Sequence, residues 1–189
     1  LSFPNSNKGY TQVYKGENQE CLFEGLKTIF EHIGGVPTRI WFDNASTMVT
    51  KVMKGEGRNL TDDFLRFKEH YRFEAAFCNV DAGHEKGNVE SKVGYHRRNM
   101  LVPVPRFESL SEFNKDLLIQ CEEDAKREHY RKEGTIEELY KEDAAALLEL
   151  PKVTLDTSKY ITVKTNGYGK FLLNKGLHEY SAAPKYANG

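Results

Sequence analysis

The segment from Asn18 to Asn44 limits the possible fold more than any other part of the chain. Leu22, Phe23, Leu26, Ile29, Phe30 and Ile33 recur at helical spacing behind Asn18, a residue suited to capping a helix N-terminus. Gly34-Gly35 closes that helix, and Pro37 prevents its continuation. Thr38-Arg39-Ile40-Trp41-Phe42 then reads as a short apolar strand running straight into Asp43-Asn44. A helix that stops, turns and feeds a strand is a building unit of α/β architecture, with Trp41 expected in the core.

The rest of the chain extends this pattern. Tyr10 to Tyr14 is β-branched and aromatic and predicts a strand, whereas 51–60, with Gly55 and Gly57, predicts a loop. Thr61 caps a helix carrying Phe64, Phe67 and Tyr71, and Phe73, Ala75 and Phe77 alternate as a strand. A polar turn over 79–87 leads to a helix from about Asn88 to Met100, with Val89, Val93 and Met100 on its inner side. Pro103 and Pro105 end it. Ser109 with Glu112, and Thr135 with Glu138, have capping-box spacing and open two more helices. The first of these turns Leu110, Phe113, Leu117 and Cys121 inward, and the second stops before Pro151. After that, Ile161-Thr162-Val163 and Lys170 to Leu173, separated by Asn166-Gly167, predict consecutive hairpin strands. The expected organisation is therefore a core over 1–107, its C-terminal helices over 108–150, and the start of a small β module over 151–189.

Composition narrows the function classes. The chain has 189 residues, 39% of them hydrophobic and 29% charged, enough for one core plus a small module and too apolar for a disordered chain. No apolar run is long enough to span a bilayer, and no charged-then-apolar leader precedes a cleavage site. Cys21, Cys78 and Cys121 are widely spaced and odd in number, which disfavours a disulfide framework or a zinc cluster and suits the cytoplasm. The histidines show no metal-binding spacing, so any metal site has to be built from carboxylates, which select hard ions such as Mg²⁺ or Mn²⁺. The chain opens Leu1-Ser2-Phe3-Pro4 without a methionine and stops in a Tyr/Ala/Gly stretch, so a fragment of a longer protein is expected.

Net charge is −1, but its distribution is uneven. Between His84 and Arg106 five basic residues (Lys86, Lys92, Arg97, Arg98, Arg106) face two acids, Glu85 and Glu90. From Glu108 to Glu149 acids outnumber bases thirteen to six. One face is thus expected to meet a polyanion and another to meet solvent or protein.

Asp43 and Glu90 carry the candidate chemistry. Two-metal phosphoryl transfer needs carboxylates fixed on rigid elements a few ångströms apart, so that two ions flank one phosphate. Asp43 ends a buried strand, and Glu90 lies in the first turn of a later helix. Each also has an ordinary reading, a turn-forming Asp-Asn and a first-turn acid favoured by the helix dipole. Glu85 competes with Glu90 but is expected in a loose turn, whereas packing of Val89 and Val93 would fix Glu90. Arg97, two turns beyond Glu90, shares its helical side and is a candidate backbone contact, with Lys86 and Arg98 as phosphate contacts. Lys92 is expected to be exposed, and His84 to be a polar turn residue or a DNA contact. Phe64, Phe67, Tyr71, Phe73 and Phe77 follow helix and strand periods and read as core, not as a base-stacking platform.

Ile40-Trp41-Phe42-Asp43-Asn44 followed by Gly83-His84-Glu85-Lys86-Gly87-Asn88-Val89-Glu90-Ser91 resembles the second and third acidic positions of the DDE transposase and retroviral integrase superfamily. Glu17 to Glu20, Gly34 to Pro37, Gly87 to Glu90, Val93 to Asn99 and Tyr180 to Pro184 are similar to one branch, the IstA-type transposases of two-gene insertion sequences. The resemblance implies a ribonuclease-H-like α/β fold, a mixed sheet flanked by helices, followed by the start of a small β-barrel module. It also implies a first catalytic Asp on a first strand upstream of this chain, so the fragment alone is expected to be inactive. Two Mg²⁺ or Mn²⁺ ions, double-stranded DNA from element ends and target, a homo-oligomer on DNA and a helper ATPase are the implied cofactors and partners. A non-catalytic DNA-binding or assembly module, and a purely hydrolytic nuclease of the same fold, are the competing readings.

Overall fold

The computed structural model describes residues 1–42, 49–52, 58–77, 83–158, 161–173 and 178–182, with the backbone alone for 49–52, 58–59 and 83–91. It is a mixed α/β arrangement that divides into two units, Leu1–Thr157 and Ser158–Gly189. Asp43, Asn44, Cys78, the stretch 79–82 and the turn at Asn174-Lys175-Gly176 lie outside the described residues.

The helix-stop-strand segment folds as its sequence dictates. Helix α1 spans Gln19–Ile33, and the Asn18 side chain accepts a hydrogen bond from the Cys21 N–H. Gly34 closes it at φ 73°, a left-handed conformation that costs glycine little. Strand β3 (Arg39–Phe42) follows and pairs in parallel with β6 (Glu74–Phe77), Arg39 opposite Glu74 and Phe42 opposite Phe77. Between them come the antiparallel pair β4 (Val49–Val52) and β5 (Arg58–Leu60), where the sequence suggested only a loop, and helix α2 (Asp62–Tyr71). The paired strands are only four and three residues long, too short to stand out from the polar, glycine-containing sequence around them.

An aromatic core ties these elements together. Phe23, Leu26 and Phe30 from α1 meet Ile40 and Phe42 from β3, Phe64, Phe67 and Tyr71 from α2, and Phe73. Phe23 and Phe67 stack at 4.4 Å with planes 7° apart, and Phe30 meets Tyr71 edge-on at 5.2 Å. Trp41 does not join them. Residues in β3 alternate between exposed and buried, and the ring placed by sequence in the core is 50% exposed. Strand periodicity of two gives one face to the core, and Ile40 and Phe42 already occupy it.

A second cluster gathers around the N-terminal hairpin β1 (Ser2–Phe3) and β2 (Lys8–Gly9). Tyr10 to Tyr14, expected as a strand, has no partner strand among the described residues. The side chain of Asn114 supplies the ladder-like bonds instead, donating to the Val13 carbonyl at 2.9 Å and accepting from the Val13 N–H at 2.8 Å. Asn114 belongs to α4 (Leu110–Asp124), which also buries Leu117, Leu118 and Cys121. Helix α5 (Ile136–Ala145) opens with a complete Thr135–Glu138 capping box. Lys8 is buried and reaches Glu122 at 2.6 Å, and Tyr10 and His32 also bond that carboxylate. Burial alone would raise the Glu122 carboxyl, but the hydrogen bonds from Lys8 and His32 outweigh it and hold it below the usual range.

Helix α3 spans Gly83–Met100 and is longer than expected, because residues 83–87 are helical and not a turn. Its inner side also differs. Val93 is 46% exposed, whereas Lys92 and His96 are 8% and 4% exposed. The His96 ring lies over β2, where a Cβ on Gly9 would stand 2.8 Å from its Cε1. Burial, then the neighbouring Lys92 charge, pushes the His96 imidazole down to about 4.

In the second unit, β7 (Lys170–Leu173) pairs antiparallel with β8 (His178–Ser181). The expected strand at Ile161 to Val163 is not one. Asn166 instead closes a local turn, its side chain accepting from the Tyr168 and Lys170 N–H groups at 3.0 Å.

Two consequences follow for stability. Phe67→Ala removes a fully buried ring from the centre of the aromatic core and is expected to cost about 3–5 kcal/mol in denaturant unfolding, with Phe67→Leu costing clearly less. Because His96 is harder to protonate in the fold than at its ordinary value of 6.5, its contribution is complete above that value and is lost as pH falls toward 4. Stability measured from pH 7 to 4 should decline through this window, and His96→Leu should flatten the decline.

Candidate carboxylate site and nucleic-acid interface

The parallel pairing of β3 with β6 fixes where the candidate residues can meet. Phe42 and Phe77 are paired, so the carboxyl ends of both strands lie side by side, about 4.8 Å apart in a sheet. Asp43 follows Phe42 directly, so its Cα stands about 3.8 Å further along the chain. Helix α3 begins at Gly83, six residues after Phe77, so an extended link could span no more than roughly 20 Å. The carboxyl end of a parallel strand pair is where open α/β sheets build their sites. Asp43 directly follows β3 in the chain and α3 begins six residues after β6, while Asp43 itself and the link over 78–82 lie outside the described residues.

Helix α3 sorts its residues by angle. At 100° per residue, and with Glu90 as zero, Arg97 falls at about −20°, Lys86 at about −40° and Val93 at about −60°. Of these, Val93 and Arg97 are exposed, whereas the side chains of Lys86 and Glu90 lie outside the description. Arg98, at about 80°, is exposed as well, and its guanidinium comes back along the helix to within 3.1 Å of a Cβ built on Gly94. Tyr95, Lys92 and His96 fall at about 140°, 200° and 240°, the opposite side of the helix.

That opposite side is tethered by polar contacts. The Lys92 ammonium donates to the Asn7 carbonyl at 2.5 Å and stands 5.4 Å from the Tyr95 ring centre. Burial and then the Arg127 charge lower it to about 8. The Tyr95 hydroxyl donates to Asp124 at 2.5 Å, and Arg127 bonds the same carboxylate at 3.1 Å while lying over the ring. Burial, then the bond to Asp124, raises the Tyr95 phenol. Lys92 was expected to be exposed, and the tether residues Asn7, Tyr95, Asp124 and Arg127 were not singled out. The spacing of Val89 and Met100, eleven residues or three turns, carried a signal, since it puts Lys92 and His96 in the same phase.

The choice between Glu85 and Glu90 also changes its basis. Glu85 lies in α3 and not in a loose turn, so rigidity no longer separates the two. Phase does, because Glu85 falls at about 220°, close to the phase of Lys92 and His96, while Glu90 is close to the phase of Arg97. Among the described residues no three His, Cys, Asp or Glu side chains are grouped to hold a metal ion. The candidate donors Asp43 and Glu90 are outside that set, and as two carboxylates they suit Mg²⁺ or Mn²⁺.

No family model matches the chain. A transposase of Aminobacter aminovorans is 38% identical over 138 residues, 72% of this chain and 27% of that protein. The transposase for insertion sequences IS1326/IS1353 of Pseudomonas aeruginosa is 29% identical over 181 residues, 94% of this chain and 34% of that protein. The same figures hold for the protein of that description in Shigella flexneri. The chain thus spans about a third or less of the length of these relatives. Among the described residues no helix is long and apolar enough to cross a membrane. The chain is a relative of insertion-sequence transposases.

Proposed function

We propose that this chain is most of the catalytic core of a DDE-type polynucleotidyl transferase of the IstA kind, with a ribonuclease-H-like fold, acting in the cytoplasm on DNA. The observation that supports the reading is the parallel pairing of Phe42 with Phe77, since Asp43 is the next residue after β3 in the chain and α3, with Glu90 in it, is the next described element after β6. Similarity to transposases over 94% of the chain supports it.

Asp43 and Glu90, completed by an upstream aspartate outside this chain, would hold two Mg²⁺ or Mn²⁺ ions, which when bound activate the attacking oxygen and neutralise charge on the leaving one. The chain itself supplies position. Asp43 is the residue that follows β3 in the chain, and Glu90 belongs to helix α3. Arg97 and Lys86, on the same side of α3 as Glu90, hold the scissile strand by its phosphates, with Arg98 further round the helix. Water attacks first at each element end, and the freed 3′-hydroxyl then attacks target DNA. By resemblance, the partners are element-end and target DNA, further copies of the protein and a helper ATPase.

A strand-transfer assay tests this in the full-length protein containing the chain, with labelled element-end DNA and Mg²⁺ or Mn²⁺. Joined products are expected, and Asp43→Asn and Glu90→Gln should each abolish them while DNA binding persists. Cleavage without joining would favour a hydrolytic nuclease, and binding without either reaction, helper ATPase included, a non-catalytic module. Arg97→Ala and Arg98→Ala should each weaken DNA binding evenly across sequences and reduce the slope of log affinity against log salt by about 1.

A further inference from the structure

The side of α3 facing away from Glu90 is held by bonds that packing alone does not require. A methionine would fill the space of the Lys92 stem, and an apolar side chain avoids the cost of burying a charge. The ammonium is there nonetheless, 8% exposed and 2.5 Å from the Asn7 carbonyl in the β1–β2 turn. That turn is itself shaped to receive it. Asn7 adopts φ 60°, and Gly9 lets the His96 ring approach where a Cβ would collide at 2.8 Å. The Tyr95–Asp124 bond forms a second tether, and the two, at about 140° and 200° from Glu90, straddle the point opposite it.

We infer that Lys92 is a positioning residue, whose bond to the Asn7 carbonyl sets the rotation of α3 about its own axis and so delivers Glu90 to the metal ions. The inference rests on the reading of Glu90 as a metal ligand given above. The magnitudes make rotation matter. A side-chain tip about 6 Å from a helix axis moves about 1 Å for each 10° of turn. Catalytic constellations tolerate about 0.5 Å, so a slip of a few degrees is enough to weaken the site. A bond directly opposite the ligand controls that angle, whereas the apolar contacts of Met100 further along the helix resist it only weakly.

The test uses the full-length protein with Lys92→Met, which keeps the stem and removes the donor, and with Tyr95→Phe, which breaks the second tether alone. Mn²⁺ binding by calorimetry, the Mg²⁺ concentration for half-maximal end cleavage, end-DNA affinity and the unfolding midpoint are measured for each. Lys92→Met is expected to weaken Mn²⁺ binding and raise the Mg²⁺ requirement by about tenfold, the effect usual for a residue that orients a ligand, with end-DNA affinity unchanged. Tyr95→Phe should move both in the same direction by less. A lower unfolding midpoint with wild-type Mn²⁺ binding and Mg²⁺ requirement would make Lys92 merely structural and overturn the inference. Should Lys92→Met not fold, Tyr95→Phe decides by the same readouts. If Glu90→Gln leaves Mn²⁺ binding intact, the ligand assignment itself fails, and that outcome is distinct from a failure of Lys92 to position it.

Discussion

A lysine ammonium taken out of water has to find a partner, and among the described residues Lys92 donates to the backbone carbonyl of Asn7 and lies against the Tyr95 ring. The requirement acts on more than one side chain. It brings the β1–β2 turn against α3, needs the bare backbone of Gly9 for the His96 ring beside it, and leaves α3 one rotational setting. Arg97, exposed, lies on the other side of α3. A helix with a purely apolar inner side could slide or turn by small angles at little cost, whereas one held by a buried charge and a Tyr–Asp bond cannot.

The two hydrophobic clusters provide the frame for this arrangement. The stacked rings of Phe23 and Phe67 join α1 to α2 and, through Phe42, to the end of β3 from which Asp43 continues. Ile29, on another side of α1, packs with Leu118 and Cys121 of α4, the helix whose Asp124 tethers Tyr95. Helix α1 therefore links the strand carrying one carboxylate position to the helix that restrains the other. The excess of acids over 108–149 is partly consumed inside the molecule, since Glu122 and Asp124 serve Lys8, Tyr95 and Arg127.

Helix ends are set by local physics and are legible in the sequence. The caps at Asn18, Thr61, Ser109 and Thr135 and the left-handed stop at Gly34 all stand where the residue types place them. Non-local choices were not legible. Tyr10 to Tyr14 has strand composition, yet an Asn side chain from α4, about a hundred residues away, takes the backbone bonds of Val13. Trp41 is apolar and sits in a strand, but alternation put Ile40 and Phe42 on the one buried face. Lys92 looked like solvent-facing charge because Asn7, 85 residues distant, cannot be recognised as its acceptor from sequence. Of the candidate site, Arg97 and Arg98 are exposed on α3, and Glu85 and Glu90 belong to that same helix at different phases.

The most direct measurement is the position of bound metal. Crystals of the full-length protein on cut element-end DNA, grown with Mn²⁺, would locate the ions by their anomalous scattering. Manganese is expected between the carboxylates of Asp43 and Glu90, at the carboxyl ends of β3 and β6, with Lys92 still bonded to Asn7 behind the helix. Manganese held by Glu85 in place of Glu90, or found away from this end of the sheet, would contradict that expectation.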